Sequence, residues 1–237
     1  MKRSFTLNLI PLFGLIALAA GCANPADDAP DAMVKEAAAA PAPVAEEAEV
    51  YGLSEDSTIG FVGAKVTGSH EGGFKSFSGT VSVAGGTPEG SSVEVTIDTT
   101  SLWADNERLQ GHLRSADFFD VENFPTATFE STAITAGDDG SYTLTGNLDL
   151  HGITKQISFP ATVEVDEQGF SANAEFSINR MDFEIKYPGK PDDLIRDEVL
   201  VKLDLRSAPH DAEMAEGDMA EEDGMAEGDM AEGESGE

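Results

Sequence analysis

The chain has 237 residues, and 14 lysines and arginines stand against 45 aspartates and glutamates, which gives a formal net charge of −31. This balance excludes a nucleic-acid-binding protein, because the few basic residues cannot form an extended positive surface. One cysteine cannot form a disulfide within its own chain, and the histidines lack the close spacing of a zinc finger. The length and an apolar fraction of 40% are sufficient for a packed core.

Residues 1–21 are organised as a secretory signal peptide. Two basic residues precede an apolar run, Leu9–Ala20, which is too short to span a bilayer of about 30 Å. Cys22 follows directly, and this placement resembles the signal of bacterial lipoproteins, which implies that Cys22 is acylated and serves as a lipid anchor. The match departs from that signal at Ala19, where leucine is usual. The alternative is an ordinary cleaved signal in which Cys22 has no such role.

Two low-complexity segments flank the middle of the chain. Residues 22–50 contain mainly Ala, Pro, Asp and Glu, so we expect a disordered acidic linker that cannot bury enough apolar surface to order itself. Residues 208–237 repeat a MAEGD-like unit and carry 12 acidic residues and no basic one, which predicts a disordered, solvated tail. The regularly spaced methionines could instead bind Cu(I), but the interspersed carboxylates are hard ligands that do not favour a soft metal.

The segment 51–207 alternates apolar and polar residues with a period of two, which is typical of antiparallel strands with one face in water. Turn sequences such as Gly85-Gly86 and Asp138-Asp139-Gly140 separate many of the alternating stretches. We predict eight strands, near Ile59–Val66, Phe77–Val83, Val93–Ile97, Ala127–Ile134, Tyr142–Leu150, Ile157–Val165, Phe170–Ile178 and Val199–Leu205.

One stretch has a helical pattern. Asp105 is a candidate N-cap for a short helix over residues 106–114, in which Leu109 and Leu113 share a face. A single helix cannot cover eight strands, so the sheet must form a sandwich or close into a barrel. Glycines within the predicted strands favour strongly bent strands and therefore an all-β, eight-stranded antiparallel barrel with one short helix.

Three segments resemble the YceI-like family of bacterial envelope proteins. They are FVGAKVTGSHEGGFKSFSGTV (61–81), HLRSADFFDVENFPTATFEST (112–132) and YTLTGNLDLHGITKQISF (142–159), and the resemblance covers essentially all of 57–205. It implies a lipocalin-like barrel with an apolar channel that binds isoprenoid chains, such as polyprenyl phosphates or quinones. Trp103 departs from the small polar residue common in relatives. Because most relatives are soluble periplasmic proteins, the apparent lipid anchor and the acidic tail are additions in this chain.

The candidate ligand contacts are aromatic side chains together with two arginines that could hold an anionic head group. From the residues alone, a dry core filled by phenylalanine is the more common outcome, and only the family resemblance favours a channel. The candidates are Phe61, Phe77, Trp103, Phe118, Phe119, Phe129, Phe176, Arg114 and Arg180.

The sequence contains no recognised catalytic or metal-binding pattern. His70, His112, His151 and His210 are not at ligand spacing, and nucleophile elbows and phosphate-binding loops are absent. We therefore expect no catalytic residue, no metal and no cofactor other than a bound lipid. The expected function is a non-enzymatic isoprenoid carrier, a periplasmic or outer-membrane lipoprotein of the bacterial envelope. The alternative is a surface lipoprotein whose filled barrel is a spacer or interaction module and whose Met-containing tail binds cations. A hydrolase is a weaker third possibility.

Overall fold

The computed structural model describes residues 24–39, 48–138, 140–166 and 169–207. The predicted signal peptide, Cys22 and the predicted acidic tail at 208–237 lie outside the described residues. No described helix is long and apolar enough to cross a membrane.

Strands make up most of the described residues. They are β1 (Met33–Glu36), β2 (Glu49–Gly52), β3 (Thr58–Lys65), β4 (Gly68–Phe74), β5 (Phe77–Val83), β6 (Ser92–Asp98), β7 (Leu102–Ala104), β8 (Thr126–Ala136), β9 (Tyr142–Leu150), β10 (Ile153–Asp166), β11 (Gly169–Asn179), β12 (Gly189–Lys190), β13 (Asp193–Leu194) and β14 (Glu198–Arg206). Helix α1 spans Glu107–Leu113, and short 3-10 helices span Pro25–Asp28, Pro88–Gly90, Thr99–Ser101 and Arg180–Phe183.

One antiparallel sheet runs in the order β2-β5-β6-β8-β9-β10-β11-β14-β3-β4-β7, with β1 added beside β10 and with β12 and β13 forming a separate hairpin. The sheet curls strongly, so that Val93 of β6, Ile157 of β10 and Leu205 of β14 belong to one buried core. The predicted all-β, lipocalin-like antiparallel barrel is therefore confirmed. The eight predicted strands correspond to β3, β5, β6, β8, β9, β10, β11 and β14, while β4 and the short strands were not predicted.

Two features shape the interior of the barrel: side chains that alternate between inward and outward along each strand, and glycines that leave room for aromatic rings. Gly146 of β9 is required because a Cβ there would lie 2.4 Å from the ring of Phe129 and 2.6 Å from the carbonyl oxygen of Glu130. The bare backbone of β9 thus makes room for an aromatic ring of the neighbouring strand β8. Along β10, every second side chain enters the core: Ile157, Phe159, Ala161 and Val163 are buried.

Helix α1 begins one residue later than predicted. Its N-cap is Asn106, whose side-chain Oδ1 accepts a hydrogen bond from the backbone N–H of Leu109 at 3.0 Å. The predicted cap, Asp105, instead contacts β4, where its carboxylate lies 2.9 Å from Nδ1 of His70 and accepts a hydrogen bond from the N–H of Glu71. Asp105 therefore fixes the start of the helix to the sheet.

The N-terminal segment 24–39 differs from the disordered linker predicted for 22–50. The 3-10 helix Pro25–Asp28 places Ala26 in a small buried cluster with Val62 of β3 and Leu200 of β14, on the outer face of the barrel. The segment then runs along the sheet and forms β1. Few apolar side chains are needed here, because hydrogen bonds to strand backbones hold the segment in place.

Strand β1 fills an opening in the barrel wall. Strands β10 and β11 pair only from Thr162↔Asn173 to Asp166↔Gly169, and beyond that point they separate. Ser177 of β11 exchanges backbone hydrogen bonds with Pro30 and Ala32, while β1 pairs with residues 155–158 of β10. The N-terminal segment is consequently part of the wall.

Candidate ligand-binding site

The barrel encloses an inner cavity of about 150 Å³ whose lining is entirely apolar. Its walls come from strands all round the barrel, and they include the ring pair Phe159 and Phe176, whose centroids are 4.1 Å apart in a stacked arrangement. Phe129 contacts the same pair, with its ring centroid 5.9 Å from that of Phe159. The barrel is therefore not completely filled by its own phenylalanines.

A second cavity of about 140 Å³, the vestibule, adjoins the inner cavity on the side of α1. Leu109 and Leu113 of α1, together with Phe118, Ile185 and Ile195, provide most of its apolar surface. The two cavities share a common wall, formed by Phe61, Phe119, Leu150, Ile178 and Val199. The apolar lining of the vestibule thus adjoins that of the inner cavity across these five side chains.

Three phenylalanines meet where the two cavities adjoin. The ring centroids of Phe61 and Phe119 are 5.9 Å apart, and Phe74 lies 6.1 Å from Phe61 and 5.7 Å from Phe119. Phe61 fits because a Cβ at the facing residue, Gly72, would lie 2.5 Å from its ring. This cluster of three rings therefore forms part of the boundary between the vestibule and the inner cavity.

Charged residues surround the apolar vestibule. Lys65 of β3 forms an ion pair with Asp193, and this hydrogen bond is the main reason that the pKa of Asp193 is lowered from its ordinary value. His70 is held by Asp105, as described above. Arg196 is exposed, and no ion pair within the described part of the chain engages its guanidinium. Arg196 is therefore the rim cation that is available for an anionic ligand.

The two arginines selected from the sequence have structural roles. Arg180 borders the vestibule but is only 6% exposed, and its guanidinium donates to the carbonyl oxygens of Arg196 and Ile185 and to the carboxylate of Asp197. Arg114 lines neither cavity and donates through Nη2 to the carbonyl oxygen of Leu102 at 2.7 Å. Arg196 was missed because it lies in a loop without a periodic pattern.

The aromatic candidates divide into two groups. Phe61 and Phe119 line both cavities, Phe118 lines the vestibule, and Phe129 and Phe176 line the inner cavity. Phe77 and Trp103 instead border a third, more polar open groove, which Ile59, Phe61 and Phe74 of the inner cavity also line. A Cβ at Gly73 would lie 2.9 Å from the Trp103 indole nitrogen, so the indole covers bare glycine backbone, a contact that stabilises sheets.

The histidines are engaged in local contacts. His112 lies 2.8 Å from the carboxylate of Asp117 and packs edge-on against Phe118 and Tyr187. His151 contacts the carbonyl oxygen of Phe183 at 3.2 Å. Over the described ranges, no group of three or more His, Cys, Asp or Glu side chains is arranged to hold a metal ion.

The chain thus folds as a curled, antiparallel, lipocalin-like barrel with an apolar interior and a polar rim. The YceI-like domain model matches residues 53–207, and the chain belongs to the YceI-like family. A UPF0312 protein from Pseudomonas putida is 35% identical over 153 residues, which cover 59% of this chain and 78% of the relative. A UPF0312 protein from Pseudomonas fluorescens is 34% identical with the same coverage.

Two solved structures share the fold. Burkholderia cenocepacia BcnA is 26% identical with a TM-score of 0.56, and the match covers 63% of this chain and 94% of BcnA. A domain from Saccharophagus degradans, described as a polyisoprenoid binding domain implicated in plant cell wall breakdown, is 17% identical with a TM-score of 0.54. That match covers 67% of this chain and 98% of the domain.

Proposed function

We propose that this protein is a non-enzymatic carrier for a long-chain isoprenoid or a similar amphiphilic lipid in the bacterial envelope. The observation that supports this most is the pair of adjoining apolar cavities, the inner cavity and the vestibule, which share five lining residues. A chain-like apolar ligand would place its tail in the inner cavity and its head group at the charged rim. The description of the Saccharophagus degradans domain as polyisoprenoid binding agrees with this ligand class.

The energetics favour reversible binding. Removing one five-carbon isoprene unit from water is worth on the order of 4 kcal/mol, at about 0.8 kcal/mol per carbon. A membrane solvates the same chain equally well, so the net preference for the protein over a bilayer is small. The proposed role is therefore exchange of the lipid with a membrane rather than its permanent storage.

Head-group recognition is assigned to Arg196. A guanidinium can donate two parallel hydrogen bonds to a phosphate, and this one lies at the rim of an apolar cavity without a competing carboxylate among the described residues. A polyprenyl phosphate would use this contact, whereas a quinone would use only the apolar interior. The proposed site therefore accepts both ligand classes and discriminates between them through Arg196.

We place the carrier at a membrane through acylation of Cys22, after export directed by residues 1–21. The barrel-bound segment supports close attachment, because Asn24 is already buried against the barrel and two residues span at most about 7 Å. An acylated Cys22 would then hold the barrel at the bilayer surface rather than at the end of a long tether. A periplasmic or outer-membrane lipoprotein fits this arrangement.

The proposal is tested by extracting protein purified gently from its native host and identifying the extract by mass spectrometry. An isoprenoid present in near-equal amount to the protein is expected. An apolar fluorescent probe should also enter the barrel, and farnesol or a quinone should displace it. Absence of both a retained lipid and probe uptake would contradict a carrier and would favour a filled barrel that acts as a spacer or interaction module.

A further inference from the structure

Four large apolar side chains stand out as exposed among the described residues: Met33 at 57%, Val50 at 56%, Val66 at 47% and Leu194 at 49%. Two of them, Val66 and Leu194, are neighbours. The backbone N–H of Val66 donates to the carbonyl oxygen of Leu194 at 3.1 Å, although 128 residues separate them in the chain. The pair therefore forms a small apolar surface, which we call the apolar rim.

The apolar rim lies beside the vestibule. Lys65, the last residue of β3, and Ile195, which follows β13, both line the vestibule. Val66 comes directly after Lys65 in the chain, and Leu194 comes directly before Ile195. An isolated bridge pairs Lys65 with Ile195, which joins the two loops directly. The exposed side chains of Val66 and Leu194 thus lie at the edge of the barrel, directly beside two residues that line the vestibule.

Cations accompany this rim. Arg196 is two residues from Leu194, and Lys190 lies on the paired strand β12; neither has an ion pair within the described ranges. The neighbouring Asp193 is already engaged by Lys65 and Thr67. The same segment also carries the carboxylates of Asp192 and Glu198, which likewise have no described ion pair, so the rim has no excess positive charge and its apolar tips suit a zwitterionic phospholipid surface.

We propose that the apolar rim is the surface through which the barrel docks on a phospholipid bilayer, so that lipid moves between bilayer and vestibule without crossing water. This inference rests on the proposed carrier function. Direct contact with the bilayer is needed for fast transfer, because exposing each isoprene unit to water would slow transfer roughly a thousandfold. The chain is strongly acidic overall, so docking must use inserted apolar side chains rather than general attraction to anionic lipid.

The test measures transfer of dansyl-labelled farnesol from the protein to phosphatidylcholine vesicles. The protein is the chain from residue 22 onward with Cys22→Ser, so that acylation cannot supply the membrane contact. The variant Val66→Ser/Leu194→Ser removes the apolar rim, and Met33→Ser/Val50→Ser is the matched control, because it removes two equally exposed apolar side chains elsewhere.

For the unmodified rim, the transfer rate should rise in proportion to vesicle concentration, because transfer requires collision with a bilayer. The rim variant should transfer about tenfold more slowly, with the probe's Kd unchanged within about twofold, and the control should keep the original rate. A rate independent of vesicle concentration, or equal rates for both variants, would overturn docking while leaving the carrier function intact. Failure of the starting protein to bind the probe would instead overturn the carrier function, and with it this inference.

Discussion

Phe159 of β10 and Phe176 of β11 stack with centroids 4.1 Å apart and ring planes 13° apart, at a position where the two strands no longer pair. The stack closes the interior behind the N-terminal wall strand β1, and both rings line the inner cavity. Side-chain packing thus replaces backbone pairing at this point, so the same two rings contribute to the fold and to the lining of the inner cavity.

Replacing Phe176 by Ala should destabilise the protein by about 3–5 kcal/mol, because the substitution removes a buried ring and its stacking partner's contact. Urea unfolding measures the change. Phe77→Ala is the control. This ring is only half-buried and borders the open groove, so its removal should lower the free energy of unfolding by less. If both variants lost the same free energy of unfolding, the greater burial of Phe176 and its stacking on Phe159 would make no additional contribution to stability.

A cavity-filling substitution distinguishes a hollow barrel from a filled one. Ala127 is buried and lines the inner cavity, whereas Ala161 is buried in the main core of the barrel but lines neither cavity. Ala127→Leu should change the free energy of unfolding by less than about 1 kcal/mol and weaken probe binding about tenfold, while Ala161→Leu should cost about 1–3 kcal/mol through overpacking. A cost for Ala127→Leu as large as that for Ala161→Leu would contradict an empty interior.

The N-terminal wall should detach when its buried contact is disrupted. Ala26→Glu places a charge against Val62 and Leu200, and we expect a loss of about 1–3 kcal/mol together with faster hydrogen exchange in residues 155–158 of β10. Asp28→Ala alters an exposed residue of the same 3-10 helix and serves as the control. Unchanged exchange in β10 after Ala26→Glu would show that β1 does not depend on this contact.

The eight long strands could be predicted because each shows one buried and one solvated face, as in Val93, Val95 and Ile97 of β6. Strand β4 was missed because its sequence, GSHEGGF, places glycines where apolar residues would alternate. Strand β1 was missed for another reason: it adds to the open edge of β10, and backbone pairing of this kind leaves no pattern in the side chains.

The aromatic lining of the cavities was partly predictable, but the position of the exposed arginine at the vestibule rim was not. Phe61 and Phe176 face inward because strand periodicity fixes the face of each residue. The roles of Arg180 and Arg196 depend on loop positions that bring residues 180, 185, 196 and 197 together, and no local pattern encodes that arrangement. Arg180, which was predicted to bind a head group, is buried and donates hydrogen bonds to backbone carbonyl oxygens. Arg196, whose carbonyl oxygen accepts one of them, has an exposed side chain.

Titration of Asp193 should report the geometry of the vestibule rim. The hydrogen bond from Lys65 lowers the pKa of Asp193 from the ordinary 3.8, with smaller contributions from Thr67. Because the folded-state pKa is depressed, this contact stabilises the rim above the ordinary pKa and is lost as the pH falls through the folded-state value, below 3.8. In a carboxyl NMR titration, Lys65→Met should raise the pKa of Asp193 more than Thr67→Val does. The reverse order would contradict the ion pair.

Arg196 should determine whether a charged head group adds to binding. Arg196→Gln removes a rim cation that no described ion pair engages, so the fold should be unaffected. Affinity for farnesyl phosphate should fall about tenfold, whereas affinity for farnesol should fall by less than about twofold. Arg180→Gln is the contrasting variant: it breaks buried hydrogen bonds to Ile185 and Asp197 and should lower the melting temperature and weaken both ligands together. Isothermal titration with the two ligands, after a thermal melt of each variant, separates these outcomes. Equal loss of both ligands in a fully stable Arg196→Gln protein would assign head-group recognition to another residue.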